Sequence, residues 1–313
     1  MRRREWLRLA LASAATVVGR DGYAHQGSNG DHEHSPDENQ HLLIRRIPSS
    51  GEGIPVIGLG TSGPFEVGDD DTVRRQLVEV LETFFVGGGM LIDTSPMYST
   101  AQAVLGDLLT EAMQARAFLA TKVWTRGHDQ GVAQMSESMR LLRRKRIELM
   151  QVHNLLDLDT QLATLAEWKA KGRVRYVGIT HYTVASQDQL AEVISRHQVD
   201  FVQTNYSAFT PDAARRLLPL AADRGVAVLV NRAFEDGKVF ARLRQQPLPG
   251  FAADIDCTSW AQLLLKYVIS HPAVTCVIPA TGKASHMKDN LAAGRGAMPG
   301  RRLRKQIADA VRA

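Results

Sequence analysis

The chain has 313 residues, of which 44% are hydrophobic and 23% charged, and its formal net charge is +5. That composition describes a globular protein with a sizeable core, ordinary for one large domain and not disordered. The positive excess sits at the two ends, +3 over residues 1–8 and +5 over residues 295–313, leaving about −3 between them, which argues against a nucleic-acid-binding face.

The basic start, Met1 to Arg8, is followed by an apolar run from Leu9 to Gly19. This run is too short to span a bilayer and has the length of a signal-peptide core, so no stable membrane insertion is expected. Arg3-Arg4-Glu5-Trp6-Leu7 resembles the twin-arginine export signal, with Trp6 where Phe is usual. Gly22-Tyr23-Ala24 offers a cleavage point after Ala24. The resemblance implies passage through the twin-arginine machinery and a periplasmic or exported location; without a working signal the location would be cytoplasmic. His25, His32, His34 and His41 lie in a polar, Gly- and Asp-rich stretch that cannot bury itself. Residues 1–24 therefore read as a signal peptide, 25–46 as a polar linker and 47–313 as the folded domain.

From residue 54 onward, short β-branched runs alternate with longer amphipathic stretches. The runs are Val56–Leu59, Met90–Asp93, Phe118–Thr121, Leu149–Val152, Val177–Thr180, Phe201–Thr204, Val226–Leu229 and Val274–Ile278. Such near-continuous apolar runs suit parallel strands covered on both faces. Between them, Thr72–Phe85 places Val73, Leu77, Val80, Leu81 and Phe84 on one helical face. Asp159–Lys171, Ser186–His197, Ala213–Arg224 and Thr258–Ser270 also read as helices, and Gly172 and Gly225 fit helix ends. Eight strands with intervening helices predict an α/β fold of the (β/α)8 TIM-barrel type. A doubly wound open sheet is the alternative, but no Gly-x-Gly-x-x-Gly follows an early strand. Cys257 and Cys276 lie in apolar segments without metal-ligand spacing. They read as buried free thiols, with a disulfide left open.

A barrel places its chemistry at the C-terminal ends of its strands. The second strand ends in Asp93-Thr94-Ser95-Pro96-Met97-Tyr98, the third in Thr121-Lys122-Val123-Trp124 and the fourth in Val152-His153-Asn154. Asp93, Tyr98, Lys122 and His153 thus come to three neighbouring strand ends. Reducing a carbonyl requires a proton source and stabilisation of a developing alkoxide. Tyr98 is the candidate proton donor, its pKa drawn down by the Lys122 ammonium. Asp93 can orient Lys122, and His153 can hold the carbonyl oxygen. Asp93 and Lys122 could instead form a structural ion pair, and Tyr98 and His153 could simply pack. Lys122 as a Schiff-base lysine of a lyase or isomerase is a more distant option.

The Asp93–Tyr98 segment with Ala103-Val104-Leu105-Gly106, together with Thr121-Lys122-Val123 and Val152-His153, resembles the aldo-keto reductase family. The similarity covers roughly residues 54–294. It implies an NAD(P)H-dependent oxidoreductase that converts an aldehyde or ketone to an alcohol, with the tetrad Asp93, Tyr98, Lys122 and His153. Thr180, His181 and Gln203 match the residues that hold the nicotinamide carboxamide, with Thr180-His181 replacing the common Ser-Asn. At the seventh strand end, Asn231-Arg232 stands where many members have a stacking aromatic; Arg232 could approach the pyrophosphate. Thr281, Lys283, His286 and Asn290 fall in the adenosine-site segment, at a helix start that favours an anion. Lys283 favours NADP, and so NADPH over NADH, although His286 stands where many NADP-preferring members have Arg. The implied partner is a small-molecule carbonyl substrate. Short loops predict an open mouth lined by Phe65, Met97 and Trp124. An NADP(H)-binding sensor or accessory barrel with little turnover is the alternative suggested by Asn231-Arg232. Oligomeric state is not legible.

Overall fold

A computed structural model describes residues 41–312. The expected signal peptide, and the linker as far as residue 40, lie outside the described residues. The described chain opens with an antiparallel hairpin of β1 (Ile44–Arg46) and β2 (Gly53–Pro55). β1 corrects the expected linker boundary. Leu42 and Ile47 are buried. The Arg45 guanidinium donates to the carbonyls of Ile269 and His271, both at 2.7 Å. Apolar burial and cation-to-carbonyl bonds thus order a segment whose composition looked polar.

Eight parallel strands follow: β3 (Leu59–Gly60), β4 (Leu91–Asp93), β5 (Phe118–Val123), β6 (Ile147–His153), β7 (Val174–Thr180), β8 (Phe201–Asn205), β9 (Ala227–Asn231) and β10 (Val274–Val277). They lie in chain order across one sheet. Parallel bridges Ile57↔Val277 and Gly60↔Ala280 bring its two ends together. The main barrel helices are α1 (Asp71–Val86), α2 (Ala101–Leu108), α3 (Glu111–Arg116), α4 (His128–Leu141), α5 (Leu158–Ala170), α6 (Gln187–Arg196) and α7 (Leu217–Asp223). After them come α8 (Lys238–Leu243), α9 (Trp260–Ile269), α10 (Ala284–Ala292) and α11 (Arg301–Ala310). This is the (β/α)8 barrel that the spacing predicts. No helix among the described residues is long and apolar enough to cross a membrane.

Two cores hold the barrel. One lies between strands and helices and includes Phe65, Leu77, Phe84, Val152, Trp168 and Val202. The other fills the barrel interior, where Leu91, Phe118, Leu149, Tyr176 and Phe201 meet Ile47 and Ile54 of the hairpin. The hairpin therefore closes the N-terminal end of the barrel. Side chains alternate along a strand, so the inner face reads i, i+2, i+4. On β5 that face runs Phe118, Ala120, Lys122; on β6, Leu149, Gln151, His153; on β8, Phe201, Gln203, Asn205. The interior is apolar at the hairpin end and becomes polar toward the strands' C-terminal ends.

Three expectations need adjustment. Phe65 packs fully inside the strand–helix core and does not line the mouth. Ala213–Arg224 is not one helix: a 3-10 turn over Asp212–Arg215 precedes α7. Pro219 has no N–H to donate backward, so the α-helix restarts where proline falls in its first turn. The mouth is also walled by more than short loops, because residues of the connection from β9 to α9, which carries α8, line its cavity. Cys257 and Cys276 are both free and buried, and burial raises both thiol pKa values, that of Cys257 to about 11.

Candidate active site

Asp93 ends β4, Lys122 is the fifth residue of β5, and His153 ends β6. Parallel pairing of these strands brings the three together. Lys122 Nζ donates to Asp93 Oδ2 at 2.6 Å and to the Thr94 carbonyl at 2.8 Å. The other Asp93 oxygen accepts from Gln203 Nε2 at 2.9 Å and from Gln151 Nε2 at 3.1 Å. Tyr98 sits in the turn before α2, with its ring centroid 4.9 Å from Lys122 Nζ. The His153 ring meets the Tyr98 ring edge-on at 6.4 Å. Asp93, Tyr98 and His153 line one cavity, while Lys122 is wholly buried behind it.

Burial sets the electrostatics. It raises the Tyr98 pKa, and the opposing pull of Lys122 is the smaller effect. The expectation that Lys122 makes Tyr98 the more acidic is thus outweighed in sign: Tyr98 holds its proton firmly until a strong base forms beside it. For Lys122, burial favours loss of the proton, but the negative Asp93 and the neighbouring Tyr98 oxygen together prevail and raise its pKa. Lys122 stays an ammonium, sealed away from any carbonyl carbon, which suits a charge-stabilising role and not a Schiff base. Burial, then Lys122 and His181, lowers the His153 pKa to about 3. His153 is therefore neutral. Its Nδ1 lies 3.2 Å from Ser95 Oγ, which also accepts from Met97 N at 3.2 Å. With the backbone N–H on that oxygen, the Ser95 hydroxyl is free to donate to Nδ1. That leaves the proton on Nε2 as a hydrogen-bond donor.

The cavity measures about 760 Å³ and is also lined by Thr180, Gln203, Asn231 and Arg232. Thr180 Oγ1 and Asn231 Nδ2 both donate to Gln203 Oε1, at 3.0 and 3.2 Å. Gln203 thereby ties this wall to Asp93. Asn231 Oδ1 is buried with no hydrogen-bond partner. An orphaned acceptor on a cavity wall fits the N–H of a ligand amide, such as a nicotinamide carboxamide. His181 turns its Nδ1 toward the backbone N–H groups of Tyr182 and Thr183. Arg232 pairs with Asp236, donating from Nε to Oδ1 at 2.9 Å, and lies 5.1 Å from the Tyr182 ring centroid. Thr281, Lys283, His286 and Asn290 follow β10 and lie outside this cavity's lining. Lys283 and His286 are exposed, whereas Thr281 and Asn290 are buried. Lys283 caps the start of α10 in the chain, and its N–H donates to Thr281 Oγ1 at 3.2 Å.

Sequence reading missed four residues here. Gln151 lies two positions before His153, on the same inward face, and period-two reading would have found it. Tyr182 and Phe240 line the cavity beside the expected Met97 and Trp124. Asn154 also lines it; only its place directly after His153 pointed there.

The family model of the aldo/keto reductases matches residues 56–299. Over 256 residues the chain is 26% identical to methylglyoxal reductase YeaE of Escherichia coli (strain K12), covering 79% of this chain and 88% of that protein. The NADH-specific methylglyoxal reductase of the same organism is 26% identical over 243 residues, covering 67% and 73%. The fold matches an aldo-keto reductase from Klebsiella pneumoniae solved with NADPH, with TM-score 0.71 at 22% identity, over 86% of this chain and 95% of that one. With the barrel, the strand-end tetrad and these matches together, the chain belongs to the aldo/keto reductase family and is an NAD(P)H-dependent oxidoreductase that reduces carbonyl groups to alcohols.

Proposed function

We propose that this protein reduces a small aldehyde or ketone with NADPH, and that Tyr98 is the proton donor. The observation that carries this reading is the Lys122 ammonium, held between Asp93 and the Thr94 carbonyl against Tyr98, in a cavity that also presents neutral His153. The substrate carbonyl oxygen sits between the Tyr98 hydroxyl and His153 Nε2. As negative charge grows on that oxygen, His153 stabilises it by hydrogen bonding and Tyr98 releases its proton to it. The phenolate left behind is stabilised by Lys122, whose position Asp93, Gln151 and Gln203 maintain.

Bound NADPH would supply the hydride. Thr180, His181, Gln203 and Asn231 are the candidates to hold its amide end, with the unpaired Asn231 Oδ1 in support. Arg232 becomes available to phosphate once it leaves Asp236. Thr281, Lys283, His286 and Asn290 are the candidates for the adenosine end, with Lys283 supporting NADP over NAD.

Methylglyoxal, which both relatives described above are named for, is a suitable first substrate. Loss of NADPH absorbance with methylglyoxal and a panel of aldehydes should be fast for the native enzyme. It should fall by roughly 10²–10⁴-fold in Tyr98→Phe, the usual range for removing a general acid. An unchanged rate in that variant refutes the role of Tyr98. Tight NADPH binding without turnover of any carbonyl would replace the reading with a binding-only barrel.

We further propose that residues 1–24 direct export by the twin-arginine route, on the strength of the Arg3-Arg4 pair and the apolar run behind it. Fractionation of expressing cells should find the protein in the periplasm. The double variant Arg3→Lys, Arg4→Lys should retain it in the cytoplasm. Equal distribution of the two forms would sink the proposal.

A further inference from the structure

A buried polar network ties the start of α2 to β5. Gln102, the second residue of α2, is buried, as are Thr121 of β5 and Ser138 of α4. Gln102 Nε2 donates to Thr121 Oγ1 at 2.7 Å and to Ser138 Oγ at 3.1 Å, and Ser138 Oγ donates back to Gln102 Oε1 at 3.2 Å. Thr121 alternates with Lys122 along β5, so its side chain faces the helices while that of Lys122 faces the barrel interior. The surrounding layer is apolar, with Val104, Leu105, Met135 and Met139. Polar groups placed there must bond one another, and a fully bonded network fixes one arrangement where apolar contacts tolerate sliding.

What this network fixes is the place of Tyr98. The Tyr98 carbonyl accepts from Ala101 N, the first residue of α2, at 2.8 Å. Between them Ser99 lies in the left-handed region, φ 43°, a conformation that costs energy and persists where the surroundings impose it. Thr100 gives α2 no side-chain cap; its Oγ1 accepts from Gly68 N at 3.0 Å instead. Asp107, near the far end of α2, pairs with Arg74 and Arg143 in exposed positions, where ion pairs hold weakly. Gln102 is thus the buried anchor at the tyrosine end of α2, and it grips the residue next to Lys122.

We infer that Gln102 is a positioning residue: through Thr121 and Ser138 it sets the distance between the Tyr98 hydroxyl and the Lys122 ammonium during proton transfer. This rests on the reading of Tyr98 as proton donor. A small displacement of a reacting group slows the chemical step without weakening a ligand bound elsewhere in the site.

Thr121→Val keeps the β-branched shape and removes the oxygen that Gln102 bonds, whereas Thr121→Ser keeps that oxygen. With saturating NADPH and methylglyoxal, kcat should fall by about tenfold in Thr121→Val and stay near native in Thr121→Ser. Gln102→Leu, which removes the bond from its other side, should fall as far, and it carries the same comparisons if Thr121→Val does not fold. The Kd for NADPH, read by fluorescence titration, should match the native value in all three. The double variant Thr121→Val, Tyr98→Phe, followed by single-turnover NADPH absorbance at high enzyme concentration, should be no slower than Tyr98→Phe alone, because changes that act through one group do not add. A native kcat in Thr121→Val, a fall matched by an equal loss of NADPH affinity, or the same fall repeated on top of Tyr98→Phe overturns the inference. Native activity in Tyr98→Phe alone would instead overturn the proton-donor reading.

Discussion

At the scale of single residues, the Asp93 carboxylate organises the centre. One oxygen takes Lys122 and the other takes two side-chain amides, from Gln151 and Gln203. A carboxylate so completely bonded does not wander, and Lys122 inherits its precision. His153 depends similarly on Ser95. If Ser95 Oγ donates to Nδ1, its loss frees the ring to adopt the other tautomer, with an acceptor and not a donor at Nε2. Ser95→Ala should therefore lower kcat/KM for carbonyl reduction by about tenfold, the value of roughly one hydrogen bond. The Kd for NADPH, read by fluorescence titration, should barely change. Unaltered kcat/KM would show that the Ser95 contact does not set the tautomer. The four tetrad residue types and their order were legible in the chain, because strand-end spacing alone assigns them to the mouth. The direction of the Tyr98 shift was not. Charge proximity can be guessed from sequence, but the burial that outweighs it depends on tertiary packing around the ring.

At the scale of elements, the barrel was legible because its strands are near-continuous apolar runs and helix-period stretches recur between them. α1 is a clear case: Leu77, Val80, Leu81 and Phe84 are buried, and the Asp70 side chain accepts from Thr72 N and Val73 N at its start. The misread parts are those in which local pattern competes with tertiary contact. β1 was hidden because only two of its flanking residues, Leu42 and Ile47, are buried, while Arg45 gains its order from carbonyls more than 200 residues away. The segment after β9 was hidden because it follows no period. Arg232, Glu235, Asp236 and Gly237 all have positive φ, and the turns they make bring Phe234 and Phe240 over the cavity. Glu235 Oε1 holds this bend by accepting from Thr210 Oγ1 at 2.8 Å. The two ends of that bond lie 25 residues apart, beyond the short windows in which periodicity is read.

At the scale of the whole molecule, the buried histidines govern the response to acid. His153 is held neutral down to about 3, by burial first and then by Lys122 and His181. His271 is held neutral down to about 4, by burial first and then by Arg304 and Arg45. In the unfolded chain both take up a proton near 6.5. Between pH 6.5 and 4 the unfolded state therefore binds more protons than the folded one, and stability falls as the pH falls. Calorimetry should show Tm roughly constant from pH 8 to 7 and falling by about several degrees at pH 5, at ~2–4 °C per kcal/mol for a chain of this class. His271→Asn keeps an acceptor for the Ala273 N–H that His271 Nδ1 now takes at 3.2 Å, but cannot be protonated. It should remove part of the acid-induced fall while leaving the Tm near pH 7.5 close to native. An identical fall in the variant would mean that other groups carry the pH dependence. His271 sits far along the chain from the relay, against Arg45 of β1 and Arg304 of α11. Its acid sensitivity would then report on the seam where Arg45 of β1 and Arg304 of α11 reach His271, separately from the sensitivity of His153 in the candidate site.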